Sequence, residues 1–284
     1  SELAARQCRN VIVIAAGLSS EQKHTLSQHC KTLGMNLLGP NCLGLMIPHL
    51  GVNASFSHTV TRAGKLAFIS QSAAVCSTIL DWAEHKDIGF SYFVSVGDCL
   101  DIDFGELLDF LGRDARTKAV LLYIDNLKDI RGFISAARAA AFSKPVIVIK
   151  TGRTEAGAQA AFAHTGGNTS SDAVYDALIQ RAGMLRVADL RELFAATQTL
   201  ALHPKLLKVE PLCILTNGGG PAVMAVDSLL QSSGKLCELS DQTLAALNAV
   251  IPQSEAAANP VDIFGDSDPG RYQQALKILL EAKE

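Results

Sequence analysis

The sequence predicts an α/β protein built from successive doubly wound parallel sheets. Two observations predict it. Short apolar runs alternate with longer stretches of helical period, the pattern of βαβ units. The composition, 48% hydrophobic with only 19% charged residues, suits strands buried on both faces. At 284 residues the chain exceeds the usual size of one domain, so two or three units are expected.

The first expected unit covers residues 1–60. Asn10 to Ala15 reads as a buried strand and 20–33 as a helix, with Ser20 as N-cap and Gly34 as stop. Met35 to Leu38 forms the next strand and runs into Gly39-Pro40-Asn41-Cys42. This is half of a doubly wound sheet, without the strands where a glycine-rich nucleotide loop normally lies. The chain opens on Ser-Glu-Leu without Met and stops within a helical pattern, so it reads as a piece of something longer.

The second unit, 64–205, carries four strand candidates at 66–70, 90–96, 119–124 and 145–150, with helices at 73–86, 103–112 and 129–141 between them. After the fourth strand the residues 150–170 read as a long small-residue loop, followed by helices at 171–182 and 189–202. Residues 205–210 read as a linker. The third unit, 209–284, opens with a strand at 213–217, turns at Gly218-Gly219-Gly220 into a helix at 221–232, and continues with helices at 240–250 and from 269.

Composition narrows the function classes. A net charge of −3 without a basic stripe argues against a nucleic-acid surface. Seven cysteines without a C-x-x-C pair suggest neither a zinc site nor a disulfide framework, and fit small buried hydrophobes in a reducing cytoplasm. No apolar run reaches the roughly 18 residues of a membrane span.

Two strand-to-helix junctions are candidate anion sites. At Ser70-Gln71-Ser72-Ala73-Ala74 a strand ends in hydroxyls and enters a helix whose first amides lack intrahelical partners. At Thr216-Asn217-Gly218-Gly219-Gly220 the glycines let backbone amides approach a ligand closely. Each alone is more often a structural cap or turn. His164, between Ala163 and Thr165-Gly166-Gly167, is a candidate nucleophile that must present a neutral ring nitrogen to an electrophile. A lone histidine in a turn is more often solvated surface. Asp125, ending the strand AVLLYI, either orients an imidazole in that crevice, caps a helix or is a solvated acid. Among Asp98, Asp101 and Asp103, helix capping at Asp101 or Asp103 is the expected role.

With these residues in hand, the chain resembles the NDP-forming acyl-CoA synthetases, relatives of succinyl-CoA synthetase. The matching stretches occur in order: LLGPNCLGLM at 37–46, GKLAFISQSAAV at 64–75, YFVSVGDCLDID at 92–103, KPVIVIKTGRTEAGAQAAFAHTGG at 144–167, DAVYDALIQRAGMLRV at 172–187, TNGGGPAVMAVD at 216–227 and NPVDI at 259–263. The resemblance implies a partial Rossmann-like CoA-binding domain followed by flavodoxin-like CoA-ligase domains.

It also implies a reaction that interconverts acyl-CoA, phosphate and ADP with acid, CoA and ATP. The family's phosphate-cradling helix starts fall on Ser70, Ser72 and Ala73 and on Gly218, Gly219 and Gly220. The phosphoryl-carrying histidine falls on His164 and its supporting carboxylate on Asp125, while Gly39, Pro40 and Asn41 match the turn that closes the CoA-binding domain. Coenzyme A or acyl-CoA, ATP or ADP and Mg are the implied cofactors. The nucleotide belongs to an ATP-grasp domain or subunit outside this chain, and the assembly is expected to be oligomeric.

Two departures stand out: Ala73 where many members have Gly, and Asp125 where Glu is usual. SQSAAV, TILDW and GFSYF look closest to bacterial protein lysine acetyltransferases in which a synthetase-like region accompanies a GNAT domain. That likeness implies an alternative, a non-catalytic region that senses acyl-CoA.

Overall fold

A computed structural model describes residues 2–165, 171–202, 211–252 and 257–282, with side chains at 163–165 and 200–202 outside the described set. The elements run α1 (Glu2–Ala5), β1 (Asn10–Ile12), α2 (Ser20–Thr32), β2 (Asn36–Leu38), β3 (Gly44–Ile47), β4 (Val52–Ser55), β5 (Ala63–Ser70), α3 (Ala73–His85), β6 (Phe90–Ser95), α4 (Phe104–Arg113) and β7 (Ala119–Ile124). They continue with α5 (Ile130–Ser143), β8 (Val146–Lys150), α6 (Glu155–Thr165), α7 (Asp172–Arg181), β9 (Leu185–Val187) and α8 (Leu190–Leu202). The last are β10 (Leu215–Thr216), α9 (Gly219–Gln231), α10 (Asp241–Asn248), β11 (Val261–Asp262) and α11 (Pro269–Glu281). The chain divides into two compact units, Ser1–Leu207 and Lys208–Glu284.

The first unit is organised by a seven-stranded sheet of order β4-β3-β6-β5-β7-β8-β9. From β6 to β9 all pairings are parallel, and β3 and β4 add an antiparallel edge. The five parallel strands stand in the order second-first-third-fourth-fifth, the flavodoxin-like winding. Its central strands read as continuous apolar runs because both faces are covered. In β5, Ala67 and Ile69 enter one core with α4 and α5, while Leu66 and Phe68 enter the other with α3 and α8. Burying a phenylalanine such as Phe68 completely contributes about 1.5–3 kcal/mol.

Beside this sheet, β1 and β2 form a separate parallel pair. Helix α2 starts one residue earlier than expected: Ser19, not Ser20, is the N-cap, in a capping box with Gln22. Residues 44–55, read from sequence within the first segment, instead extend the seven-stranded sheet through β3 and β4. Four-residue antiparallel strands joined by a tight turn leave little periodicity to read.

The expected loop 150–170 is corrected over most of its length, since Glu155–Thr165 is helix α6. Thr154 starts it by accepting the amide of Gly157 at 3.1 Å, and alanine fills its body. Alanine has the highest helix propensity, so the missed signal was compositional. Residues 166–170 and the whole of the expected linker 205–210 lie outside the described residues.

In the second unit β10 and β11 pair in parallel, with Leu247, Ile251, Val261, Ile263 and Ala275 as its core. The strand expected over 213–217 is shorter, Leu215–Thr216. Among the described residues no helix is long and apolar enough to cross a membrane.

Candidate active site

In a doubly wound sheet ligands gather at the carboxyl ends of the strands, where the winding reverses direction. Here that place lies between β5 and β7, and the sequence-predicted Ser70, Ser72 and Asp125 sit there. Ser70 is fully buried. Its hydroxyl accepts the Ser72 amide at 3.0 Å and donates to the Ser72 carbonyl at 3.0 Å. That double clasp fixes Ser72 in extended geometry as N-cap of α3, where its own hydroxyl accepts the Val75 amide at 3.3 Å. Among the described residues, side chains claim neither the Ala73 nor the Ala74 amide, so the first turn keeps donors and a positive dipole end for an anion.

Ala73 is half-buried and packs against the core that α3 shares with β5. The methyl group that distinguishes it from glycine is thus engaged with that core.

The second junction repeats the clasp in the other unit. Thr216 Oγ1 accepts the Gly218 amide at 3.1 Å and donates to the Gly218 carbonyl at 3.2 Å. Gly218 is the extended N-cap of α9 and carries no side-chain cap. Beside it, a Cβ built on Gly219 would lie 3.4 Å from Asp262 Oδ2. Asn259 ties this unit together, accepting the Ile214 amide and donating to the carbonyls of Leu212 and Cys237.

Asp125 is not a helix cap. Its carboxylate accepts the Thr151 hydroxyl at 2.6 Å, and its amide donates to Gln71 Oε1 at 2.6 Å. Gln71 also accepts the Asn126 amide at 3.0 Å. Sequence reasoning missed Gln71, because its work depends on β7 lying beside β5. Lys150 was missed as well. It is 7% exposed, donates to the Thr151 carbonyl, and stands 4.4 Å from the centre of the Tyr175 ring. Burial pushes the Lys150 ammonium down, against the attraction of Asp125 and Asp172.

His164 is the next-to-last residue of α6, with its side chain outside the described residues. The helix that carries it follows β8 after the four residues 151–154, the first of which, Thr151, donates to Asp125.

The Gly39-Pro40-Asn41 turn links the small sheet to the large one. The Gly39 carbonyl accepts the Leu100 amide at 3.3 Å, the Pro40 carbonyl accepts the Asp98 amide at 2.9 Å, and Asn41 Nδ2 donates to Asp98 at 3.3 Å. Two glycines make this close approach possible. Gly39 has φ +97° and a Cβ there would meet the Val13 carbonyl at 2.4 Å; Gly97 has φ +54° and would meet the Pro40 carbonyl at 2.1 Å. Of the acidic cluster, Asp103 caps α4 as expected, Asp101 instead holds the Leu37 amide, and Asp98 pairs with Lys23 at 2.7 Å.

Comparison with known proteins agrees with this arrangement. Residues 63–200 match the succinyl-CoA ligase like flavodoxin domain and residues 212–284 the ligase-CoA domain. The chain is 35% identical to the α subunit of ADP-forming acetate–CoA ligase II of Pyrococcus furiosus, covering 96% of itself and 60% of that protein. It is 34% identical to ADP-forming acetate–CoA ligase I of Archaeoglobus fulgidus, covering 99% of itself and 41% of the relative. Its fold superimposes with TM-score 0.93 on the dinucleotide forming acetyl-coenzyme A synthetase 1 of Ca. Korarchaeum cryptofilum solved with phosphate and ADP, at 31% identity over 99% of this chain and 62% of that one. The chain thus spans about two fifths to three fifths of the length of these relatives. With both domain families matched in order along it, and a strand-end hydroxyl clasping a helix N-cap in each, the chain belongs to the NDP-forming acyl-CoA synthetases.

Proposed function

We propose that this chain is the CoA-ligase portion of an ADP-forming acyl-CoA synthetase, handling acyl-CoA, phosphate and the phosphoryl group on its way to ADP. The repeated hydroxyl clasp, Ser70 on Ser72 and Thr216 on Gly218, carries the reading. In each unit the clasp holds one helix N-terminus rigid, and the amides left unclaimed there are donors for phosphoryl oxygens.

Phosphate attack on the thioester carbonyl expels CoA thiolate and gives an acyl phosphate. A neutral His164 ring nitrogen then takes the phosphoryl group and releases the carboxylate. A terminal oxygen of ADP takes it next, restoring the free imidazole. Asp125 supports the imidazolium character that develops on His164. The helix-start amides, those of Ala73 and Ala74 in one unit and of Gly219 in the other, are each donors to phosphoryl oxygen. The amides of Ala73 and Ala74, left unclaimed at the start of α3, fit a phosphate oxygen. The nucleotide and Mg are assigned to an ATP-grasp domain or subunit, where Mg would supply charge neutralisation on the nucleotide.

The test uses the natural-length protein with γ-labelled ATP and magnesium. Acid-labile, base-stable label is expected on the protein, discharged by ADP or by acid plus CoA, and lost in His164→Ala. Label that persists in His164→Ala would sink the assignment. The alternative, an acyl-CoA-sensing region of a GNAT-type lysine acetyltransferase, predicts acyl-CoA binding without label; the relatives reported above are ligases and lend it no support.

A further inference from the structure

Helix α5 presents a second surface that this chemistry does not use. Its inward residues Phe133, Ala137 and Ala140 are buried. Its outward stripe, Arg131, Ser135, Arg138, Ala139 and Phe142, is exposed throughout, and Phe142 is 95% exposed. Neither Arg131 nor Arg138 has an ion-pair partner among the described residues.

On the α4 side of the same helix the charge reverses. A groove there is lined by Asp101, Asp103, Glu106, Asp109 and Asp129, and Ser135 and Ala139 form its α5 wall. Desolvation, then repulsion from Asp103 and Asp101, raises the Glu106 carboxyl above its ordinary value. Asp109 is already paired with Arg113 at 2.6 Å, but the other four carboxylates of the groove have no ion-pair partner among the described residues. The helix beside it carries two arginines without carboxylates.

We propose that this face joins two copies of the chain through an antiparallel α5–α5 contact about a two-fold axis. A two-fold interface needs one patch that complements itself, and this stripe does. In an antiparallel register centred between Ser135 and Arg138, Arg131 of one copy faces Phe142 of the other, a cation over an aromatic ring. Ser135 then faces Arg138, and the small Ser135 and Ala139 let the helices approach to about 8–10 Å. From that position Arg138 reaches across the helix toward Glu106 of the other copy, with Asp109, shared with Arg113, beside it. An isolated fully exposed phenylalanine and a one-sided charge pair on a single helix are both accounted for by this pairing.

Sedimentation equilibrium of the natural-length protein tests it. The wild-type protein is expected to associate, with affinity falling between 50 and 500 mM salt. Arg131→Glu with Arg138→Glu, and separately Phe142→Asp, should each raise the dissociation constant at least about 100-fold. Glu106→Arg with Asp109→Arg should weaken it too. Combining the two charge reversals should restore association to within about tenfold of wild type, because both halves of each contact are then exchanged. All these positions are exposed, so unchanged melting temperatures provide the folding control. Association untouched by Phe142→Asp and the arginine reversals would place the interface elsewhere and overturn the proposal. So would a monomeric wild-type protein in which Phe142 is shielded from hydroxyl-radical labelling, since the remainder of the longer protein would then cover this face.

Discussion

The side-chain oxygen of Gln71 accepts the backbone amide of Asp125 at 2.6 Å, tying the end of β5 to the end of β7 where the sheet's winding reverses. The same oxygen takes the Asn126 amide, so one buried carboxamide fixes the backbone that aims the Asp125 carboxylate. Gln71→Leu keeps much of the volume and removes the acceptor. Two amides are left unsatisfied, and a loss of about 1–3 kcal/mol is expected. Trp82, the only tryptophan, stacks on Phe194 at 4.3 Å within the same unit, so its fluorescence follows urea unfolding there. Gln71→Glu retains an acceptor and should recover most of the loss; equal destabilisation by both would refute this role.

The hydroxyl clasps should act on phosphate handling more than on folding. Ser70→Ala and Thr216→Val each remove a two-bond clasp on an N-cap. Each is expected to raise the KM for phosphate severalfold while costing about 0.5–2 kcal/mol of stability. Unaltered phosphate dependence in both variants would separate these junctions from the chemistry.

At the turn between the sheets, Gly97→Ala places a Cβ 2.1 Å from the Pro40 carbonyl on a backbone with φ +54°. A destabilisation above about 2 kcal/mol is expected from clash and backbone strain together. Gly51→Ala is the control: its φ is +67° but nothing lies within 4 Å of the added methyl, so it should cost about 1 kcal/mol. Comparable losses in the two variants would contradict the close approach.

Alkaline pH should unfold the first unit. Burial pushes the thiols of Cys76 and Cys99 from 9.0 up to about 12. Above pH 9 the unfolded chain releases these protons while the folded chain keeps them. Their contribution is therefore complete below pH 9 and is lost toward pH 12, at about 1.4 kcal/mol per pH unit for each thiol. Lys150 acts with the opposite sign, because its folded value lies below the ordinary 10.5. Just below pH 10.5 the unfolded chain holds more of that proton, so stability from this group rises with pH. Urea melts between pH 8.5 and 10.5 should show a shallower loss in Cys76→Ala and a steeper one in Lys150→Met. Parallel profiles for wild type and both variants would contradict the assignments.

Much of the fold was legible because burial leaves a mark on sequence. The continuous apolar runs of β5, β7 and β8 and the 3.6-residue period of α3, α4 and α5 each reflect the faces they bury. Asp103 as a cap was legible for the same local reason. Helix α6 was hidden by its own composition: eleven residues dominated by alanine show no amphipathic stripe, only high propensity. Strands β3 and β4, four residues each, are fixed by pairing, β3 with β6 and β4 with β3, rather than by their own pattern.

The sequence by itself determined the order of the elements, the hydroxyls and glycines at both strand-to-helix junctions, and the position of His164 along the chain. Those features are set by interactions within a few residues. Only the tertiary structure decided that Gln71 supports Asp125, that Asp101 holds the Leu37 amide, and that the methyl of Ala73 packs against core. Each depends on which strands become neighbours, and hydrogen bonds across 54 or 64 residues of chain leave no periodicity behind them.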